Sequence, residues 1–208
     1  MRLPRVGQRL PAHSARFALL ATLLAALLQG GCRTLPTPAA RSWTEQRTAL
    51  QTLERYQFRG QLAAAAAGEG FSAALSWQQH GVASEAQLRA PFGVGGAKLR
   101  YDESGLQMTN SNGAELRGEA AHTAMIELLG FEPPLASLRY WLIGVPDPAT
   151  PGVEQLDGAQ HLQQLTQGDW HIDYSDYAPQ GGWWLPGLVT LRRDTTRLKV
   201  RINRWQLQ

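Results

Sequence analysis

The chain holds a single cysteine, Cys32, among 208 residues, so no disulfide within it can staple the fold. It also lacks the arrangements on which common catalytic chemistry depends. No Gly-x-Ser-x-Gly elbow is present to expose a serine nucleophile. The glycine run Gly93-Val94-Gly95-Gly96 has neither dinucleotide-binding spacing nor a following Lys-Ser/Thr, and it joins two strand-like segments, so it is no phosphate loop. His80, His122, His161 and His171 show no His pair at i, i+4 and no carboxylate at metal-ligand spacing, and they read as surface or turn residues. Nothing argues for an enzyme, a resident metal or a cofactor. Apolar runs are short as well. Phe17 to Leu28 is uncharged but too brief to span a bilayer as a helix.

Charge of one sign is missing from the first 31 residues, which hold Arg2, Arg5, Arg9 and Arg16 and no acid. This positive stretch followed by the apolar run has the form of a secretion signal. Leu28-Gln29-Gly30-Gly31-Cys32 resembles a bacterial lipobox, with small residues before a thiol that receives lipid, although Gln29 stands where an aliphatic residue is usual. An exposed, unpaired thiol in an oxidising compartment would be reactive, so a modified Cys32 is the coherent reading. Under the lipoprotein sorting rule, Arg33 in place of an acid implies onward transport to the outer membrane. Removing residues 1–31 leaves 16 basic and 17 acidic residues, a formal charge of −1. The sequence pI near 9.3 therefore belongs to the signal and gives no support to nucleic-acid binding. The expected organisation is a signal at 1–31, a lipidated tether at 32–41 with two prolines, and one domain at 42–208.

Within that domain, Ser42 is positioned to cap a helix over 42–55 that aligns Trp43, Leu50 and Leu53 on one face. After Tyr56 the period becomes two. Phe71, Ala73, Leu75 and Trp77 share one side of a strand; Leu99 and Tyr101, Leu106 and Met108, Trp170, Ile172 and Tyr174, and Leu198, Val200 and Ile202 do likewise. Gly68, Gly81, Gly105 and Gly113 mark hairpin turns, and the short intervals favour an antiparallel meander. The apolar parity flips at Trp205 and Leu207, which a bulge near Asn203 would explain. Helical spacing returns over 119–129, ending at Gly130, and over 134–143, ending at Gly144. The expected class is α+β: an open antiparallel β-barrel, built as a meander and covered by helices, around an apolar concavity.

Seven tryptophans fit core packing or a greasy pocket. The best pocket candidates are Leu75, Trp77, Leu99, Met108, Trp141, Trp170 and Tyr174, each on the apolar parity of its element. Pro91-Phe92-Gly93 places an aromatic residue in a loop, where it either folds back onto the core or points outward as an apolar tip.

Several features occur together in order and spacing: Tyr56 with Arg59-Gly60, Trp77-Gln78-Gln79, Pro91-Phe92-Gly93, Leu138 to Trp141 with Gly144 and Pro146, Gly168 and Trp170 with Tyr174, Leu185-Pro186, and Trp205. In this the chain resembles the LolB family of outer-membrane lipoprotein receptors over nearly all of the expected domain. The resemblance implies an open β-barrel covered by helices, with a hydrophobic cavity for lipoprotein acyl chains. It implies a lipid-anchored monomer in the outer membrane, facing the periplasm, that accepts lipoproteins from the carrier LolA and inserts them into the inner leaflet. The family's protruding loop commonly carries Leu between Pro and Gly, and Phe92 takes that position here as the membrane-inserting residue. Two other classes stay open: an outer-membrane lipoprotein for a different apolar ligand, and a structural or assembly factor with a close-packed interior.

Overall fold

The computed structural model describes residues 41–91 and 95–208. The expectations for the signal, the tether up to residue 40, Cys32, Phe92 and Gly93 lie outside the described residues. The first helix, α1 (Trp43–Gln51), is capped as its sequence dictates. The Ser42 hydroxyl accepts from the Glu45 amide while the Glu45 carboxylate accepts from the Ser42 amide at 2.9 Å, a reciprocal capping box. These hydrogen bonds hold the Glu45 carboxyl below its ordinary value. The helix is shorter than the 42–55 expected. Its cap Thr52 ends it, and Arg55 already belongs to β1, because Arg55 and Tyr56 pair with His80 and Gln79 of the neighbouring strand.

The strands that follow are β1 (Arg55–Ala66), β2 (Glu69–His80), β3 (Ala83–Arg89), β4 (Gly96–Asp102), β5 (Gly105–Asn110) and β6 (Glu115–Arg117). Then come helices α2 (Glu119–Leu129) and α3 (Leu135–Trp141). The second half holds β7 (Gly152–Leu156), β8 (Leu162–Gln167), β9 (Trp170–Ser175), β10 (Ala178–Gln180), β11 (Trp183–Leu185), β12 (Leu188–Arg193) and β13 (Thr196–Leu207). Eleven of these strands form one antiparallel sheet in the order β6-β5-β4-β3-β2-β1-β13-β12-β9-β8-β7, and β10 and β11 form a separate hairpin. The pairing of β1 with β13 joins the two halves, while β6 and β7 remain as edges, so the barrel is open. The chain between those edges carries α2 and α3. Met125, Leu129, Leu138 and Leu142 from this connection meet Leu75, Trp77 and Leu198 of the sheet, so the helices cover its inner face.

The alternation read from the sequence is the alternation observed. Ala73, Leu75 and Trp77 are buried and Ser72, Ala74 and Gln78 exposed; Leu198, Val200 and Ile202 are buried and Arg197 and Arg201 exposed. The parity flip in β13 is a bulge at Asn203, since Arg59 pairs with Arg204 and the next residue, Gly60, pairs with Ile202. Gly60 is fixed by this irregularity: a Cβ there would lie 2.0 Å from the Arg201 carbonyl oxygen. The hairpin glycines Gly68, Gly81, Gly105 and Gly113 all take positive φ at the turns where they were expected. The third predicted helix, 134–143, is trimmed to Leu135–Trp141, because the chain tightens into a turn that closes at Gly144 with φ +79°. No described helix is long and apolar enough to cross a membrane.

Candidate functional site

The inner face of the sheet and the helical cover flank a partly open apolar void. Its sheet wall is built by inward-pointing residues of β1 to β4 and β13, including Leu62, Leu75, Trp77, Leu88 and Leu99. Its roof is Met125 and Leu129 of α2, Pro133, and Leu135, Leu138 and Leu142 from α3 and its C-terminal end. No charged side chain lines it. Its internal volume is about 40 Å³. A water-sized probe occupies ~10–15 Å³ and a void of ~150 Å³ holds one benzene, so the site as it stands admits no acyl chain. Any large apolar guest requires the roof to lift.

The two roof helices are held differently. In α3 the Trp141 indole donates to Gln167 Oε1 at 2.7 Å and the Ser137 hydroxyl donates to Asp147 Oδ2 at 2.7 Å. The Arg139 carbonyl accepts from the Tyr56 phenol, whose pKa burial pushes well above its ordinary 10. Gln167 extends the clamp: its side chain also accepts from the Asp147 amide at 2.9 Å and donates to the Asp147 carbonyl at 2.9 Å. In α2 the described side chains make one hydrogen bond, His122 Nδ1 to Glu132 Oε1 at 2.8 Å, and that partner lies in the loop after the helix. Otherwise α2 rests on the sheet through buried Ala121, Met125 and Leu129, between Gly118 (φ +55°) and Gly130 (φ +82°).

Of the seven pocket candidates, Leu75, Trp77 and Leu99 stand on the wall of the void. Met108, Trp141, Trp170 and Tyr174 are buried as expected but do not line it. Trp141 is turned to Gln167, and Trp170 packs against Trp141 at 6.3 Å and Phe131 at 6.1 Å, with the Arg193 guanidinium 4.7 Å from its ring centre. Alternation tells inside from outside; it does not tell void from packed core. Leu62 and Leu88 of the wall and Met125, Leu129 and Leu138 of the roof line the void and were not among the pocket candidates. Their apolar parity was visible for the two helices, but their position over β1 to β4 depends on the connection between the sheet edges.

Pro91 is exposed at the end of β3, where the chain leaves the sheet. His161, read as a surface or turn residue, closes the turn between β7 and β8, its amide donating to Asp157 Oδ1 at 2.8 Å, and is half-buried there. Its ring stacks on Tyr177 at 4.7 Å and meets Trp184 at 5.1 Å, and its Nδ1 lies 3.3 Å from Asp157 Oδ2. Among the described residues no group of three or more His, Cys, Asp or Glu is arranged to hold a metal ion.

Comparisons with known proteins converge on one family. A family model described as outer membrane lipoprotein LolB matches residues 54–205. The outer-membrane lipoprotein LolB of Nitrosococcus oceani is 32% identical over 191 residues, covering 89% of this chain and 95% of that relative. The protein of the same name from Alkalilimnicola ehrlichii is 32% identical over 197 residues, covering 92% and 98%. Among solved structures, a DUF1329 family protein from Desulfovibrio piger superposes with a TM-score of 0.52 at 8% identity, covering 80% of this chain and 90% of that one, a likeness of fold alone.

Proposed function

The chain belongs to the LolB family, and on that premise we propose that it is an outer-membrane receptor that takes lipoproteins from the periplasmic carrier LolA and passes them to the membrane. The observation that carries this reading is the wholly apolar void between sheet and cover, roofed by a helix held almost entirely by apolar packing. An acyl chain of ~16 carbons costs on the order of 10 kcal/mol to expose to water at ~0.8 kcal/mol per methylene. The chains must therefore pass directly from one apolar site to another. Lifting α2 exchanges its contacts with Leu75, Trp77 and Leu99 for contacts with the guest, so the protein's apolar surface stays covered in both states. Forward transfer needs only that this site hold the chains more tightly than the carrier does, with ~1.4 kcal/mol giving tenfold. No covalent step is involved.

In this reading residues 1–31 are removed, Cys32 carries lipid, residues 32–41 tether the monomer to the outer membrane from the periplasmic side, and residues 42–208 bind the cargo. Leu75, Trp77 and Leu99 contact the acyl chains from the sheet. The loop at Pro91, Phe92 and Gly93 meets the inner leaflet. The small volume also suits a purely structural lipoprotein with a filled interior. The test is transfer of a fluorescently lipidated protein from purified LolA to this chain, with mass spectrometry of its native N-terminus. Uptake with an acylated Cys32 is expected. No uptake at carrier excess would overturn the receptor reading.

A further inference from the structure

The outer face of the sheet carries a second site, distinct from the void. On β13 the exposed parity is basic along most of the strand: Arg197, Lys199 and Arg201, continued past the bulge by Arg204. Register places these cations beside a floor of uncharged side chains. Arg201 pairs with Gln61, Gln61 with Ala74, and Ala74 with Arg89, so one cross-strand row has an arginine at each end and the uncharged Gln61 and Ala74 between. The adjacent row runs Lys199, Ala63, Ser72. At ~4.8 Å per strand the two arginines of the first row are anchored ~14 Å apart, with long side chains able to converge over the floor. The result is a trough of about 530 Å³ walled by Arg89, Lys199 and Arg201 and closed at one end by Ala90 and Pro91.

The charges of this trough are only partly compensated. Arg201 lies 3.0 Å from Asp176. Among the described residues Lys199 and Arg89 have no carboxylate within 4.0 Å, and Arg89 contacts only the Gln87 amide oxygen at 3.2 Å. Residues 1–40 and 92–94 contain no Asp or Glu that would neutralise them. Two cations without a carboxylate partner beside uncharged side chains, on a domain of nearly zero net charge, match the charge of a singly charged phosphate ester.

We propose that this trough binds the headgroup phosphate of an anionic phospholipid in the membrane to which the 90–94 loop is apposed. The position decides the occupant, because Arg89 is the last residue of β3 and Ala90 and Pro91 form a wall of the trough. The site rests on the reading that this loop faces the membrane, and it deepens that reading: the loop supplies an apolar contact and the trough an oriented ionic one. Cations near an anionic surface act within a Debye length of ~10 Å at 0.1 M salt.

The test reconstitutes the full-length protein in phosphatidylethanolamine vesicles, with and without phosphatidylglycerol bearing a photoreactive headgroup. Crosslinks should map to 61–63, 72–74 and 199–201, and R89Q/K199Q should lower their yield about tenfold at unchanged melting temperature. Raising salt toward ~1 M should do the same, whereas R117Q, on the edge strand β6, should leave the yield unaltered. Labelling spread over the domain, equal labelling from a zwitterionic headgroup probe, or a double variant that labels like the wild type would overturn the site. Lipoprotein uptake from the carrier and delivery by F92E are measured on the same preparations. Normal uptake and F92E-sensitive delivery without trough labelling reject only the headgroup site, whereas trough labelling without uptake rejects the receptor reading.

Discussion

At the scale of single residues, the fold depends on groups with no freedom to be anything else. Gly60 faces the core at the bulge, and a methyl there would strike the Arg201 carbonyl oxygen at 2.0 Å. Gly60→Ala should therefore cost about 3 kcal/mol or more in urea unfolding. Gly70→Ala, whose Cβ would meet only the Ala64 carbonyl oxygen at 3.8 Å, should be nearly silent, and equal effects would mean that the bulge is not what requires Gly60. The phenol of Tyr56 is buried and caps the Arg139 carbonyl. Tyr56→Phe leaves that carbonyl unpaired, so a loss of ~1–3 kcal/mol is expected. Asp157 gives a pH signature. Burial raises its pKa, but the amides of His161 at 2.8 Å and Ala159 at 2.9 Å and the His161 ring outweigh this and hold it below 3.8. A depressed folded-state value means the contribution is complete above 3.8 and fades as pH falls below it. The stability gap between wild type and Asp157→Asn, followed by denaturant midpoint against pH, should be constant near neutrality and close in acid. A gap that persists at the lowest pH would remove the charge from the argument.

At the scale of elements, the roof is asymmetric. Trp141, Ser137 and the Arg139 carbonyl pin α3 through side-chain hydrogen bonds to β8, to the Asp147 segment and to β1, whereas α2 has apolar packing alone against the sheet. Apolar contacts to a sheet can be replaced by an acyl chain at little net cost; buried hydrogen bonds cannot. Amides of α2 should thus exchange faster than those of α3 in hydrogen-exchange mass spectrometry, and bound lipoprotein should slow α3 little while altering α2. Equal protection of both helices would count against α2 as the moving part. This asymmetry was not legible in the sequence. It turns on Gln167, a buried glutamine at the end of β8, and local patterns carry no mark of which polar residue will hydrogen-bond to Trp141, Asp147 and Thr150, 17 to 26 residues away. The strand parities were legible because period two is a local property, and even the Asn203 bulge showed as a shift of that period. Where both faces carry the same residue the signal vanished, as along Ala63–Ala66 of β1. Which inward residues face the void was hidden for another reason: it depends on where the 118–151 connection lays its helices, and so Leu75, Trp77 and Leu99 were separated from Met108, Trp141, Trp170 and Tyr174 only by the tertiary structure.

At the scale of the whole molecule, the proposed function puts receipt and delivery in different places, the void under α2 and the loop beyond β3, and a single substitution should separate them. If Phe92 is an exposed tip, burial of its ring at a membrane surface contributes ~1.5–3 kcal/mol, enough to orient the protein and too little to anchor it. Phe92→Glu should then leave the melting temperature and uptake from the carrier intact while slowing insertion into liposomes by one to two powers of ten, at ~1.4 kcal/mol for each. Phe92→Leu, which keeps an apolar tip, should insert almost as fast as the wild type. A Phe92 folded back onto the core predicts a different pattern, because a buried charge would lower stability sharply and abolish uptake and insertion together. The two patterns also differ in salt dependence. Loss of an apolar contact is insensitive to ionic strength, whereas loss of Arg89 and Lys199 from the neighbouring trough is mimicked by salt. Insertion rates of the Phe92→Glu and R89Q/K199Q proteins across a salt series therefore resolve the two membrane contacts, and a Phe92→Glu defect that salt reproduces in the wild type would rule out the apolar tip.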